Sequence, residues 1–308
     1  MNKVDTLKEY FLPEPPLLRT PKTIQILLVR QTHDYTIFRT EETREINTVV
    51  IPKSINDSTQ TTRVIFLASK QKAPESRFFA SISKEYYSKA LEGKIPTEDG
   101  PLMQCELKDA LCKSCPRCAL FGAVNTDSGD RWNIKHRIEY SSAFSLEPYQ
   151  LVTESMTFNA VNESTQSTER ALNSTENIEP VVSFPSIVTL NSATKEEFVL
   201  VLKTLLGCKS YGAEGRTKGD VLNYITGVVF GNEELITSLE YCLELSAKKE
   251  IKDYVEMTQE ILGRYRQYSS FPDALKILTK EETVALEEEI RKTDLSSSII
   301  TEAFRKSK

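Results

Sequence analysis

The sequence has few histidines and no long apolar run. Its 308 residues contain two histidines, His33 and His136, so general acid–base chemistry is thinly supplied. The longest apolar runs, such as residues 26–29 and 198–202, are far shorter than the roughly 18 residues that a membrane span requires. We therefore expect no segment to cross a bilayer, and the composition disfavours an enzyme built on histidine chemistry.

The N-terminal segment and the charge balance limit the class of protein further. Residues 1–18 carry acidic side chains and a proline cluster where a signal peptide would have an unbroken apolar stretch, so we expect a cytoplasmic protein. The net charge is −5, with −4 in residues 233–308 and −4 in residues 153–180, which leaves +3 on the remainder. A mildly basic body is compatible with local phosphate binding, although an ordinary enzyme can show the same balance.

Four of the six cysteines lie within fourteen residues, at Cys105, Cys112, Cys115 and Cys118. In a reducing cytoplasm this spacing favours a metal over disulfides, because tetrahedral zinc takes four thiolates and a C-x-x-C turn supplies two of them. Four cysteines would close the coordination shell, so the zinc would be structural. An iron–sulfur cluster is the main competitor, although the C-x-x-x-C-P continuation is missing. His136 is the alternative to Cys105 as the remaining ligand.

The rest of the N-terminal half reads as short strands followed by a helix. Residues 23–30, 48–51 and 62–68 are β-branched and bounded by polar residues or proline, which predicts strands. Residues 74–92 predict a helix that begins near Pro74 and ends at Gly93. Residues 93–139 hold the cysteines, and we expect an insertion that is too small to bury its own core and is stabilised by the metal.

Residues 159–177 are dominated by Ser, Thr, Asn, Glu and Gln between two strand-like arms. This composition predicts an exposed, partly mobile hairpin. The hairpin is either a variable surface loop or a binding arm, and the sequence pattern leaves both open.

A strand–helix–strand unit follows. Residues 186–190 predict a strand, Thr194 and Glu197 form a T-x-x-E capping box, Gly207 ends the helix, and residues 221–229 return as a strand. This arrangement is half of a ferredoxin-like fold. The connecting loop carries glycines 212, 215 and 219 beside Lys209, Arg216 and Lys218, a combination that suits phosphate binding by backbone amides or a structural turn.

The C-terminal residues 233–308 predict a helical tail with a solvated, charged surface. Its first helix places Leu235, Leu239, Cys242 and Leu243 on one face, so we interpret Cys242, together with Cys208, as a core thiol.

Beyond these patterns, several segments resemble a known family. The stretches THDYTIFRTEETREIN, ASKQKAPESRF, CPRCALFGAVN, FPSIVTL and LKTLLGCKSYGAEGRTKGDV resemble the backbone subunit of the type I-D CRISPR interference complex, a member of the repeat-associated (RAMP) superfamily, over roughly residues 20–245. The resemblance implies an α+β protein with a ferredoxin-like, RNA-recognition-motif-like core, a zinc-bound insertion, a thumb-like hairpin and a helical tail.

The same resemblance implies partners and a role. Several copies would stack as a filament along one CRISPR RNA, contact other subunits of the complex, and support pairing with a target DNA strand, while residues 159–177 would form the thumb. The expected division of the chain is 1–92 and 186–232 for the core, 93–139 for the zinc insertion, 140–185 for the arms and thumb, and 233–308 for the tail.

Sequence-independent binding to a guide depends on phosphate contacts. The candidate RNA-binding residues are Lys70, Lys72, Arg77, Lys209, Gly212, Gly215, Arg216 and Lys218. Some relatives in the superfamily cut target strands with a loop aspartate, and Asp34 is the candidate by position. We expect a non-catalytic scaffold, with metal-dependent strand cleavage as the alternative and a zinc-stabilised protein-interaction module as a weaker one.

Overall fold

The structure is a computed structural model of the chain. It describes residues 3–40, 45–90, 105, 111–126, 129, 131–158, 164–165, 173–212, 218–248, 250, 252–295 and 298–307. The strands are β1 Thr23–Thr32, β2 Thr48–Ser54, β3 Asp57–Phe66, β4 Ala123–Asn125, β5 Trp132–Ile134, β6 Ile138–Tyr140, β7 Ala143–Phe144, β8 Thr153–Phe158, β9 Asn173–Ile178, β10 Ser183–Asn191, β11 Val221–Gly231 and β12 Lys276–Ile277. The helices are α1 Lys3–Thr6, α2 Ala68–Ala90, α3 Pro116–Phe121, α4 Lys195–Gly207, α5 Ser238–Ser246, α6 Tyr254–Tyr265, α7 Lys280–Lys292 and α8 Ser298–Lys306.

The central sheet has the order β12-β11-β1-β10-β6, and neighbouring strands run antiparallel. Strand β1 is therefore parallel to β6, and β10 is parallel to β11. The first pair is connected through α2 and the second through α4. Two strand–helix–strand crossovers of this kind place both helices on the same face of the sheet.

Alternating side chains of β1 divide the sheet into two buried faces. Ile26 and Leu28 pack into the cluster that contains Phe79 of α2 and Phe198 of α4. Val29 points to the opposite face and joins the cluster covered by α5 and α6. Because both faces of β1 are covered, its residues read as one continuous apolar run rather than as an alternating pattern.

Two smaller sheets stand beside the central one. Strands β2, β3 and β7 form a sheet in that order, and β8 pairs with β9 from Thr153–Ile178 to Phe158–Asn173. The base of the β8–β9 ribbon is joined to the segment after β1, since the amides of Thr36 and Ile178 donate to each other's carbonyls at 3.1 and 2.8 Å. Most of the tip predicted as a thumb lies outside the described residues.

The cysteine-bearing segment shares the main core. Phe121 of α3 packs edge-to-face on Phe79 of α2 with ring centroids 5.2 Å apart. Arg137, which is 4% exposed, donates to the Ala119 carbonyl at 3.1 Å and to the Glu197 carboxylate at 2.9 Å. Arg137 thus joins α3 to the first turn of α4, through its hydrogen bond to Ala119 and its buried ion pair with Glu197.

Several predicted elements are confirmed. The strands predicted at 23–30, 48–51, 186–190 and 221–229 all occur with longer bounds, and the strand predicted at 62–68 occurs as β3, which ends at Phe66 because Ala68 begins α2. The capping box of α4 is complete, because the Glu197 amide donates to Thr194 Oγ1 at 3.2 Å and the Thr194 amide donates to Glu197 Oε2 at 2.9 Å. Helix α4 ends at Gly207, and Cys208 and Cys242 are both buried thiols.

The predicted start of α2 near Pro74 is wrong. The helix begins at Ala68, whose amide donates to Ser142 Oγ at 3.2 Å, and the amide of Gln71 donates to the Leu67 carbonyl at 3.1 Å. These contacts close the first turn before the proline, which lies inside the helix and supplies no amide for the Lys70 carbonyl. The predicted end at Gly93 lies outside the described residues.

The predicted apolar face of the first tail helix is also partly wrong. Helix α5 begins only at Ser238, after Thr237 forms a capping box with Glu240, so Leu235 precedes the helix. Leu239 is exposed on its surface, and the buried positions include Tyr241 and Leu245. Among the described residues, no helix is long and apolar enough to span a membrane.

Candidate nucleic-acid interface and metal centre

A cationic groove of about 590 Å³ lies between the start of α2 and the loop that follows α4. Lys70 and Arg77 are seven residues apart on α2, so two helical turns place them on the same side of the helix. Arg39, in the segment after β1, lies on the opposite wall. The lining residues are Ile37, Arg39, Thr40, Lys70, Ala73, Pro74, Arg77, Ser210, Tyr211 and Gly212. Three cations around one open groove suit a phosphate-bearing ligand.

The wall formed by the loop depends on Gly212. Its φ is +55°, and a Cβ at this position would lie 2.7 Å from the Phe38 ring and 2.8 Å from the Ile37 carbonyl oxygen. The amide of Ile37 donates to the Gly212 carbonyl at 3.2 Å. Glycine therefore allows the loop backbone to lie directly on the Arg39-bearing segment.

A buried polar network supports the groove from below. Arg30 of β1 and Glu75 of α2 are fully buried, with Nη1 and Oε1 2.5 Å apart. The Tyr211 hydroxyl donates to Glu75 Oε1 at 2.6 Å, and Arg30 Nη1 donates to Asn223 Oδ1 at 2.9 Å. Burial opposes the charge on Arg30, but Glu75 outweighs it and raises the pKa of the guanidinium, so Arg30 remains charged. The network ties β1, α2, β11 and the loop together.

Burial and Glu75 also change the pKa of Tyr211, the residue of this network that lies in the loop. They raise the pKa of Tyr211 well above its ordinary value, burial being the larger cause. Tyr211 therefore stays a neutral hydroxyl that can donate to the Glu75 carboxylate. Since Tyr211 and Gly212 are adjacent, this hydrogen bond fixes one wall of the groove to the helix that carries Lys70 and Arg77.

Lys72 occupies a different cavity from Lys70 and Arg77. This second cavity, of about 370 Å³, also contains His136, Glu139 and Glu234. Burial and Arg117 lower the pKa of Lys72, while burial and Lys72 lower that of His136. Burial and Glu139 raise the pKa of Glu234. Its mixed charges suit a phosphate chain less well than the groove does.

The remaining loop candidates are more dispersed. Lys209 is exposed, and its carbonyl accepts the Val221 amide at 2.9 Å. Lys218 Nζ lies 2.5 Å from Asp220 Oδ1. Gly215 and Arg216 fall outside the described residues.

The four clustered cysteines come together in space. The sulfur atoms of Cys105, Cys112, Cys115 and Cys118 all lie within 4.8 Å of one another, so the group could hold a metal ion. The Sγ atom of Cys105 is 3.6 Å from that of Cys115 and 3.4 Å from that of Cys118. These separations approach the roughly 3.8 Å edge of a tetrahedron with metal–sulfur bonds near 2.3 Å. His136 is outside this group and faces the second cavity.

Local structure explains the convergence of the cysteines. Lys113 adopts a φ of +61°, which turns the chain between Cys112 and Cys115. The Cys115 sulfur also caps α3 by accepting the Cys118 amide at 3.4 Å. Hydrogen bonds from the other three thiols lower the pKa of Cys105, while the same sulfur–sulfur contacts raise that of Cys115. A bound cation would favour the thiolate form of all four cysteines.

The comparison with protein families decides the family. The model described as Csc2 Crispr matches residues 7–303. The chain belongs to the Csc2 CRISPR family. A search of curated proteins finds no match.

Solved structures include chains that are similar to this Csc2-family chain. The crystal structure of Thermofilum pendens Csc2 is 19% identical, with a TM-score of 0.61, and the alignment covers 97% of this chain and 94% of that one. A chain of a CRISPR RNA-guided surveillance complex before nicking is 14% identical with a TM-score of 0.48, covering 80% and 86% of the two chains. A chain of a type IV-B CRISPR complex is 15% identical with a TM-score of 0.45, covering 66% and 90%. The first of these supports the mixed α+β fold.

Asp34 of this Csc2-family chain lies in an exposed turn after β1. Its Oδ1 accepts the amide of the next residue, Tyr35, at 2.8 Å. Within the described part of the chain, the group of side chains positioned to hold a metal is the cysteine cluster, and Asp34 is not part of it.

Sequence reasoning missed two parts of the groove in this Csc2-family chain. Arg39 lies in residues 32–47, and its position in a polar stretch after a strand was the available signal. The Arg30–Glu75–Tyr211 network had no local signal, because Glu75 is 45 residues and Tyr211 is 181 residues from Arg30.

Proposed function

We propose that the chain is a CRISPR RNA-binding backbone subunit of a type I-D interference complex. In this role several copies coat the spacer of the guide as a helical filament and support recognition of the target DNA strand in antiviral defence. The observation that carries the proposal is the groove lined by Arg39, Lys70 and Arg77, found in a chain that the Csc2 family covers from residue 7 to residue 303.

The strand order supports a ferredoxin-like, RNA-recognition-motif-like core within this proposal. Four strands in the order β11-β1-β10-β6, joined by crossovers through α2 and α4, follow the antiparallel βαββαβ scheme. The crossover from β1 to β6 contains the cysteine-bearing segment. That segment is then an insertion into the first crossover, which we propose is stabilised by a structural zinc on Cys105, Cys112, Cys115 and Cys118.

Groove chemistry supports sequence-independent binding. Guanidinium and ammonium groups recognise phosphate oxygens and carry no base-edge code, which is what a subunit needs to coat guides of any sequence. We propose Lys70 and Arg77 as the central phosphate contacts, with Arg39 opposite them. Lys72, Lys209, Gly212, Gly215, Arg216 and Lys218 remain further candidate RNA contacts of this proposal.

The β8–β9 ribbon supports the thumb assignment. It is a two-stranded unit whose base is hydrogen-bonded to Thr36, three residues before the groove residue Arg39. An arm in this position can contact the strand held in the groove. We propose no catalytic step, and the exposed turn of Asp34 is given no role in cleavage.

A salt-titrated binding assay tests the proposed groove. Fluorescence anisotropy would follow single-stranded RNAs of unrelated sequence, with the purified protein and with the Lys70→Ala/Arg77→Ala double variant. The slope of log affinity against log salt is negative, and the loss of two phosphate contacts should reduce its magnitude by about 1.4. All wild-type RNAs should bind with similar affinity.

Lys292→Ala is the matched control, because Lys292 is a surface cation at 80% exposure on α7. It should leave both the affinity and the salt slope unchanged. Binding that is insensitive to salt, or a double variant that behaves like Lys292→Ala, would contradict the proposed groove.

A further inference from the structure

Among the described residues, helix α6 stops short of one end of the second face of the central sheet. Helix α6 covers this face through Ile261 and Leu262, but the helix begins at Tyr254, whose hydroxyl donates to Ser183 Oγ at 2.9 Å. Strand β11 continues past this point to Val221. The strand end beyond α6 therefore presents side chains to solvent.

An aromatic pair occupies this open end. Tyr224 of β11 is 40% exposed although its neighbours Asn223 and Ile225 are buried on the sheet. Its hydroxyl lies 3.2 Å from Nε2 of the exposed His33, and the two ring centroids are 6.4 Å apart at a tilt of 40°. Since Tyr224 is the residue paired with Val29 in β1, the rigid centre of the sheet holds it in place.

The backbone also fixes His33. Its amide donates to the Asp220 carbonyl at 2.8 Å, immediately before β11 starts. Tyr224 thus stands on β11, and His33 follows the end of β1 at a position that is hydrogen-bonded to the neighbouring chain. An exposed aromatic pair that is held on both sides loses little conformational entropy when a flat ligand stacks on it.

The charges beside the pair indicate which part of a nucleic acid would fit. Asp34 is exposed next to His33, and the Asp220 carboxylate is paired with Lys218. Carboxylates disfavour a phosphate at this position but do not oppose the uncharged face of a base. The backbone links the pair to the groove wall, because the amide of Tyr211, which lines the groove, donates to the Gly219 carbonyl at 2.8 Å, and the next residue, Asp220, accepts the His33 amide.

We propose that Tyr224 and His33 form a stacking site for a nucleobase of single-stranded RNA whose backbone lies in the groove. The site rests on the proposed function and adds a base contact to its phosphate contacts. Stacking of a base on an aromatic ring tolerates any base, because every base has a π-face. A guide-coating subunit could therefore hold one nucleotide in place without reading sequence.

The test measures the binding of two RNAs to the wild-type protein and to its variants. One RNA carries all its bases with a single 2-aminopurine, and the other is an abasic ribose-phosphate chain of the same length. Tyr224→Ala should weaken binding of the base-carrying RNA about tenfold and abolish the quenching of 2-aminopurine fluorescence. It should leave the affinity for the abasic chain unchanged. Tyr224→Phe, which keeps the ring, should retain most of the affinity.

Tyr268→Ala is the control for loss of an exposed tyrosine, because Tyr268 is 72% exposed elsewhere on the surface. It should behave as wild type with both RNAs. If Tyr224→Ala binds both RNAs as tightly as wild type, the stacking site is wrong and the pair is left as a contact for protein. An equal loss on both RNAs also overturns it.

The outcomes separate this site from the groove. The Lys70→Ala/Arg77→Ala variant should weaken the abasic and the base-carrying RNA by the same factor, because phosphates are common to both. A wild-type protein that binds neither RNA would contradict the proposed function itself. A groove effect without any Tyr224 effect would contradict only the stacking site.

Discussion

Gly212 shows how one residue shapes the groove wall. Its positive φ and its contact with the Ile37 carbonyl leave no room for a side chain, and the loop backbone can approach the Arg39-bearing segment for that reason. Tyr211, the preceding residue, is anchored to Glu75 from inside. The shape of the groove wall thus depends on the absence of a side chain at Gly212 and on the buried hydroxyl of Tyr211.

Gly212→Ala should destabilise the protein by at least about 1–2 kcal/mol, because an L-residue in the left-handed region pays that cost before the clash is counted. The matched control is Gly263→Ala in α6, where an added Cβ meets nothing within 4 Å. That change should stabilise by roughly 0.5–1 kcal/mol, as expected for alanine in a helix. Urea unfolding of both variants measures the difference, and a Gly212→Ala variant that is as stable as wild type, or more stable, would contradict the strain at Gly212.

The local structure of residues in short-range sequence patterns could be predicted from the sequence. The contacts of residues in long-range networks could not. Thr194 and Glu197 are three positions apart, so the capping box is visible in the sequence. Gly212 stands in a glycine-rich loop, and that composition marks a turn in the same way. Arg30 pairs with Glu75 only after the sheet and α2 have packed, and no local pattern marks a charge that is buried by distant neighbours.

At the scale of elements, strand bounds followed from apolar periodicity, while helix starts depended on contacts that the pattern does not contain. Helix α2 begins before Pro74 because Ser142, far along the chain, accepts the first amide. The cysteine spacing predicted the cluster of four sulfurs, since its ligands are close in sequence. Its attachment to the core through Arg137 and Glu197 needed the fold.

The cysteine turn makes a prediction at this scale, because Cys115 both caps α3 and contributes to the cluster. Cys115→Ser should keep the cap, since serine is a favoured N-cap residue, but should remove one metal ligand. We expect the bound zinc, measured by mass spectrometry of the purified protein, to fall close to zero. The melting temperature should fall to that of chelator-treated wild type.

Ser114→Ala, one residue earlier, is the control and should retain wild-type zinc content. Zinc added back to chelator-treated wild type should restore the melting temperature, because a metal that binds only the folded state stabilises it. Equal zinc content in Cys115→Ser and wild type would exclude the cluster as the metal centre.

At the scale of the whole molecule, the acidic net charge and the cationic groove are compatible. The chain carries −5 overall, with acidic side chains concentrated in residues 153–180 and 233–308. At 0.1 M salt, charges separated by more than about 10 Å are largely screened, so a local group of cations can bind phosphate on an acidic protein. The acidic surfaces also disfavour non-specific coating of nucleic acid away from the groove.

Assembly along RNA is the prediction for the whole molecule. If copies stack head-to-tail on one guide, the interface is heterologous and does not close, so RNA length sets the number of subunits. The mass of the complex, measured by light scattering, should therefore increase in steps of about one 34.9 kDa chain as the RNA is lengthened at fixed protein excess. The Lys70→Ala/Arg77→Ala variant should lose the steps at moderate salt, whereas Lys292→Ala should keep them. A complex whose mass stays constant on RNAs of different length would show a closed oligomer, and the filament would then be wrong even if the groove binds phosphate.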